Sequence, residues 1–181
     1  MKTVKRIVIG LVAILVVLIA FAYVLPRHAA VVRSIDVAAT PSAVYPIVSD
    51  LRRFNEWSPW RDLDSATVYI FTGPADGVGQ TMNWTSKDPR VGTGKQSITR
   101  LDPLKEVEMN LDFGAQGGAI ARIALAPNGG ATTVTWGFDS DLGFNPLARY
   151  FGLFFERWIG PDYEKGLAKL KALAEKPAAS G

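Results

Sequence analysis

The 181-residue chain has no cysteine and one histidine. Without cysteine there is no disulfide, no thiolate nucleophile and no Cys-based zinc site. Oxidising and reducing compartments therefore suit it equally. A lone His28 makes a His-rich metal set or a histidine-dependent reaction a poor expectation. Internal repeats and an internal linker are missing as well. Charge of one sign is also scarce. There are 20 Lys+Arg against 17 Asp+Glu, a formal net charge of +3. Residues 1–25 carry Lys2, Lys5 and Arg6 and no acid, which leaves seventeen of each sign in the remainder. A neutral body has no bulk attraction to a phosphate backbone, and no basic stripe with interleaved aromatics occurs, so no nucleic-acid partner is expected. No metal and no cofactor are expected either.

What is present begins with an unbroken apolar run over residues 7–25, preceded by the three cations and ended by Pro26. At about 1.5 Å per helical residue the run covers ~28 Å, close to the ~30 Å hydrocarbon core of a bilayer. Residues 1–26 are therefore expected to be an N-terminal transmembrane anchor and residues 27–181 one folded domain. The positive flank predicts a single-pass protein of the cell membrane with its domain on the extracytoplasmic (periplasmic) side. A cleaved signal peptide is the competing reading, because Ala20-Phe21-Ala22 has the small-x-small form of a cleavage site. The apolar stretch continuing past it through Leu25 favours the anchor.

In the domain, residues 31–38 read as a strand. Thr40-Pro41 starts a helix to about Ser49, and Asp50 is placed to cap a second short helix ending near Phe54 or Trp57. From Thr67 the apolar period changes to two. Strands are expected over 67–72, 80–86, 94–101, 106–113, 118–126 and 132–139, with Pro127-Asn128-Gly129-Gly130 as a hairpin turn. Leu147, Phe151, Phe154 and Trp158, and then Tyr163, Leu167, Leu170 and Ala174, recur at helical spacing. Gly160-Pro161 between the two sets predicts two helical pieces or one helix kinked there. The tail from Pro177 reads as frayed. The class is α+β: a strand, two short helices, six antiparallel strands and a long helix.

Phe54-Asn55-Glu56-Trp57-Ser58-Pro59-Trp60 after Ser49-Asp50-Leu51 resembles the polyketide cyclase/dehydrase and lipid-transport branch of the START-like (SRPBCC) superfamily. So do Gly73-Pro74 with Gly77-Val78-Gly79, the Thr133-Val134-Thr135-Trp136 strand, and the stretch from Gly166-Leu167 to Leu170-Lys171-Ala172-Leu173-Ala174-Glu175. The resemblance covers about residues 31–175. It implies a helix-grip fold, a curved antiparallel sheet wrapped around a long C-terminal helix, with an apolar cavity between them. It implies no particular reaction, because the superfamily holds carriers, binders and cyclases alike.

Trp57, Trp60, Trp84, Phe113, Phe151 and Phe155 are the candidate ligand-binding residues. Trp84 and Phe113 are expected on the sheet wall, Phe151 and Phe155 on the helix wall, and Trp57 and Trp60 at one end. Any of them can equally be ordinary core, and the Trp57–Trp60 loop can equally be a structural plug. Asp50, Asp62 and Glu156 are the carboxylates near aromatics that general acid–base chemistry would use. Asp50 is more simply a helix cap and Glu156 an arginine's partner, so no catalytic residue is assigned. Gly77-Val78-Gly79 and Gly92-Thr93-Gly94 join strands without opening a helix, which makes them turns and not phosphate loops. The reading favoured by these features is a membrane-anchored binding module for an apolar small molecule or lipid. A cyclase/dehydratase-type enzyme and a ligand-free interaction domain are the alternatives.

Overall fold

The structure, a computed structural model, describes residues 2–176. The tail expected to fray from Pro177 lies outside them. Helix α1 (Lys2–Ala22) is followed by β1 (His28–Val37), α2 (Pro41–Val48) and α3 (Leu51–Trp57). Six further strands come next: β2 (Val68–Thr72), β3 (Thr81–Thr85), β4 (Thr93–Asp102), β5 (Glu106–Asp112), β6 (Gly118–Asn128) and β7 (Ala131–Asp141). Helices α4 (Pro146–Gly152) and α5 (Phe155–Ala174) complete the chain. The strands form one antiparallel sheet in the order β1-β7-β6-β5-β4-β3-β2. With α5 laid across its inner face, this is the expected helix-grip fold.

The period-two pattern decides which face is inside. In β7 Thr132, Val134, Trp136, Phe138 and Ser140 are buried. In β6 Ala119, Ala121, Ile123 and Leu125 are buried, and in β5 Val107 and Met109. A one-residue slip would turn all of them to solvent. The core draws on residues from Val31 to Ala174 and on none from α1. The domain's apolar centre is therefore complete without the N-terminal helix, which is exposed along its length except at Ala22.

Two glycines let aromatic rings lie flat against backbone. A Cβ at Gly166 of α5 would stand 2.7 Å from the Trp136 ring and 3.2 Å from Pro59. A Cβ at Gly94 would stand 2.4 Å from the Trp84 ring, which lies across its partner strand. Helix and sheet approach closely at the first position, and the indole is held in place at the second.

The C-terminal helical region breaks at Leu153-Phe154, not at Gly160-Pro161 as the spacing suggested. Pro161 sits inside α5 without ending it. Its missing N–H forfeits one helical bond. Tyr163 and Leu167 beyond it are buried in the core, and Arg33 of β1 ties both sides by reaching Glu156 and Glu164 across Gly160.

Between α1 and β1 the chain is pinned to the end of β7 by an ion pair. Arg27 donates through Nε and Nη2 to the two Asp141 carboxylate oxygens, at 2.8 and 2.6 Å, and Gly143 N–H donates to Oδ1 at 2.9 Å. The Arg27 bond first, then the Gly143 bond, hold the Asp141 carboxyl far below the usual carboxylate range. A lowered folded-state pKa means that the contribution exists above the unfolded value of about 4 and fades as pH falls below it. The difference in Tm between the protein and Asp141→Asn is therefore expected at pH 7 and should shrink below about pH 4. A difference that grows on acidification would contradict this. The pair is exposed, so the effect is small.

Candidate functional site

α5 lies along β1 and leaves the inner face of β3–β5 only partly covered. A cavity of about 290 Å³ fills the uncovered space. Met82, Trp84, Gln96, Leu111 and Phe113 form its sheet wall, and Ile159 and Tyr163 its helix wall. Phe54, Ser58 and Trp60 close one end. Pro89, Arg90, Thr93 and Gln116 are exposed and mark its rim.

The aromatic side chains brace one another. Tyr163 stacks on Trp136 with centroids 3.8 Å apart, and Trp60 meets Tyr163 edge-on at 6.3 Å. Trp84 and Phe113 meet edge-on at 6.0 Å. Trp84 Nε1 donates to the Val91 carbonyl at 3.2 Å, which fixes the indole against the β3–β4 turn. The Trp60 end is secured by Lys169, whose Nζ reaches the Ser58 carbonyl at 3.1 Å and both Asp62 oxygens at 2.9 Å.

Two polar groups face this apolar space. Gln96 is 4% exposed and donates from Nε2 to the Met109 thioether, leaving its carbonyl oxygen with no protein partner among the described residues. The Tyr163 hydroxyl likewise has no hydrogen-bond partner among them, although the residue is 2% exposed. Burial pushes the Tyr163 phenol well above its ordinary pKa, so it stays a neutral donor. Both residues line the cavity, where a guest carrying a hydroxyl or carbonyl would give each polar group a partner.

Of the six aromatics singled out from sequence, Trp60, Trp84 and Phe113 line the cavity. The other three stand elsewhere. Trp57 is 1% exposed and packs edge-on to Trp136 at 4.9 Å, because it ends α3 on the core side. Phe155 packs on the ring of Phe138 at 5.7 Å, so Phe138 and not Phe155 contributes to the wall. Phe151 is 54% exposed on α4, which the break at Leu153-Phe154 turns away from the sheet. Gln96 and Tyr163 were not singled out. The inner parity that buries Ile98 also points Gln96 inward, which is the signal that would have found it.

The carboxylates have structural partners. Asp50 Oδ1 caps α3 by accepting from Arg52 N–H at 2.9 Å and also accepts from the buried Gln80 amide at 2.8 Å. Asp62 holds Lys169, and Glu156 holds Arg33. Among the described residues no Asp, Glu or His lines the cavity. Among the described residues no cluster of three potential metal ligands occurs.

A family model described as polyketide cyclase / dehydrase and lipid transport matches residues 28–175. No curated protein matches the chain. Among solved structures, protein CV1439 from Chromobacterium violaceum is similar with a TM-score of 0.55 at 18% identity, over 82% of this chain and 98% of that one. StfQ, a di-domain ARO/CYC from the steffimycin biosynthetic pathway, has a TM-score of 0.61 at 12% identity, over 82% of this chain and 51% of that one. Ara h 8.0201 has a TM-score of 0.59 at 10% identity, over 83% of this chain and 99% of that one. At such identities the likeness is one of fold.

Proposed function

The chain belongs to the polyketide cyclase/dehydrase and lipid transport family, and from that premise we propose that it is a membrane-anchored binding module. Its cavity takes one apolar small molecule or lipid-like molecule bearing a hydroxyl or carbonyl group. The observation that carries this reading is the aromatic-walled space of about 290 Å³ with Gln96 and Tyr163 on its wall. Apolar walls with a few convergent polar groups are the usual make-up of a small-molecule site. Burying an apolar guest there contributes about 25 cal/mol per Å² of apolar surface, so no charged anchor is required.

α1 is the membrane span in this reading, and it stays attached. It has 21 residues, about 31 Å of helix, and is apolar enough to cross a bilayer. Lys2, Lys5 and Arg6 favour a cytoplasmic N-terminus and an extracytoplasmic domain. A cavity with no carboxylate or histidine among the described residues of its wall supports binding over acid–base catalysis of cyclisation or dehydration.

The test uses residues 27–181, whose core is self-contained. An apolar fluorescent probe should bind at a single site, with an affinity that changes less than about twofold between low and high salt, since no charge pair anchors it. A domain that binds no apolar probe would leave the ligand-free interaction domain as the better reading. Topology is tested separately: a reporter fused after Gly181 should be active only outside the cytoplasm, and the intact mass should retain residues before Tyr23. Cytoplasmic activity would overturn the topology, and a mature chain starting at Tyr23 would overturn the anchor.

A further inference from the structure

Helix α4 grips the end of α1. Arg149 is 7% exposed, and its Nη1 donates to the carbonyls of Tyr23 at 3.2 Å and Leu25 at 3.3 Å, with Ala22 at 3.5 Å. Its Nε and Nη2 donate to the Gly143 carbonyl at 3.0 and 2.8 Å. One guanidinium thereby gathers three carbonyls at and just past the end of α1, the Ala22 carbonyl also accepting from Leu25 N–H at 3.2 Å. Beside it, the Tyr150 hydroxyl donates to the Leu18 carbonyl at 2.7 Å. Leu18 lies seven residues before the end of the apolar run, about 10 Å along a helix.

That depth matters because α4 and the break after it are apolar on their outer side. Phe144 is 75% exposed, Leu147 67%, Phe151 54%, Leu153 53%, Phe154 46% and Trp158 51%. Trp158 stacks on Phe154 with centroids 5.4 Å apart and stands 6.2 Å from Phe151, so these three rings form one surface. Soluble proteins seldom leave such a patch to water. An α1 that spans a bilayer carries Leu18 inside the hydrocarbon, and the Tyr150 bond then holds α4 within one side-chain length of that level.

We propose that the α4 face formed by Phe144, Leu147, Phe151, Leu153, Phe154 and Trp158 is a foot seated in the outer leaflet of the bilayer beside α1. It rests on α1 being a membrane span and is independent of what the cavity holds. The lipid surface is the occupant because the patch is continuous with the span and tied to it at the depth of Leu18. Interfacial helices bury an apolar face about 5–10 Å into the headgroup–acyl boundary, which matches that depth. The foot also orients the cavity. The rim lies where β3 ends and β4 begins, and the register 84–94, 95–112, 112–118, 120–139 and 139–30 carries that end of the sheet to the start of β1. The start of β1 is the end attached to α1, so the rim stands on the bilayer side and a guest can pass from lipid to cavity without crossing bulk water.

The full chain, reconstituted in phosphatidylcholine vesicles, tests the foot through Trp158. The difference between the protein and Trp158→Phe isolates this indole from Trp57, Trp60, Trp84 and Trp136. Lipid brominated on the upper acyl chain should lower the Trp158 emission at least twofold, while aqueous iodide changes it little. Leu147→Glu with Phe154→Glu should reduce the bromine quenching at least twofold while the far-UV spectrum is kept. Strong iodide quenching without bromine quenching would show a foot in water and overturn the proposal. Shielding from both quenchers would show the face packed against another copy of the chain and overturn it equally. Because α1 is present in every reconstituted sample, a negative result here is distinct from cleavage of α1 in cells, which the intact mass reads.

Discussion

Trp136→Ala should destabilise residues 27–181 by ~3–5 kcal/mol in chemical denaturation. The Trp136 ring is 3% exposed and stands at the meeting point of three elements. Tyr163 of α5 stacks on it, Trp57 of α3 meets it edge-on at 4.9 Å, and Gly166 lies against its edge. Removing it opens a void beneath the long helix that none of these neighbours can close, since Tyr163 and Trp57 are themselves held by their helices. Trp136→Phe should cost far less, under about 1.5 kcal/mol, because it keeps most of the ring contact and removes an indole N–H that has no acceptor among the described residues. A loss under about 1 kcal/mol for the alanine variant would mean that this face of β7 does not carry the core.

Leu111→Trp should abolish apolar-probe binding while lowering stability by less than about 1.5 kcal/mol. Leu111 is half-buried and its side chain borders the cavity, so a larger ring has open volume to enter. Ala121→Phe is the contrasting case. Sequence parity places Ala121 on the inner face, and it is 2% exposed there. It stands between Met109 and Phe138 in register and is not part of the cavity wall. The phenylalanine would therefore overpack the core and cost about 1–3 kcal/mol, with binding lost only as the fold weakens. Titration of the same fluorescent probe against both variants, alongside their denaturation curves, separates filling a cavity from disturbing a core. Probe affinity unchanged in a folded Leu111→Trp domain would mean that the guest sits elsewhere.

Strand parity was the most legible part of the fold. The alternation of Val107, Met109 and Leu111 against Glu106, Glu108 and Asn110 reads the same in sequence and structure, since a half-solvated strand writes its two faces in period two. Both candidate caps were found, but only Asp50 makes a side-chain cap bond and Thr40 does not. Strand ends moved by a few residues. β1 begins at His28 and not Val31, because pairing with β7 continues through His28↔Asp141. The helix break was misplaced because Gly160-Pro161 pairs two breaking residues, whereas Gly152, which ends α4, stands without a proline. The site was half legible. Aromatic content marked Trp60, Trp84 and Phe113, but a ring that lines a space and a ring that fills one carry the same letter. Which of the two applies depends on how far α5 stands from β3–β5, a distance that no local pattern encodes. Arg149 was equally silent, because its partners are backbone carbonyls more than 120 residues away.

Native mass spectrometry of the full chain, extracted from membranes in detergent, reads the central claim most directly. The account predicts a peak for the intact chain plus one apolar molecule of lipid-like mass, absent from Leu111→Trp prepared in the same way. A bare chain in every preparation, with no adduct when apolar hydroxyl- or carbonyl-bearing lipids are added, would contradict it.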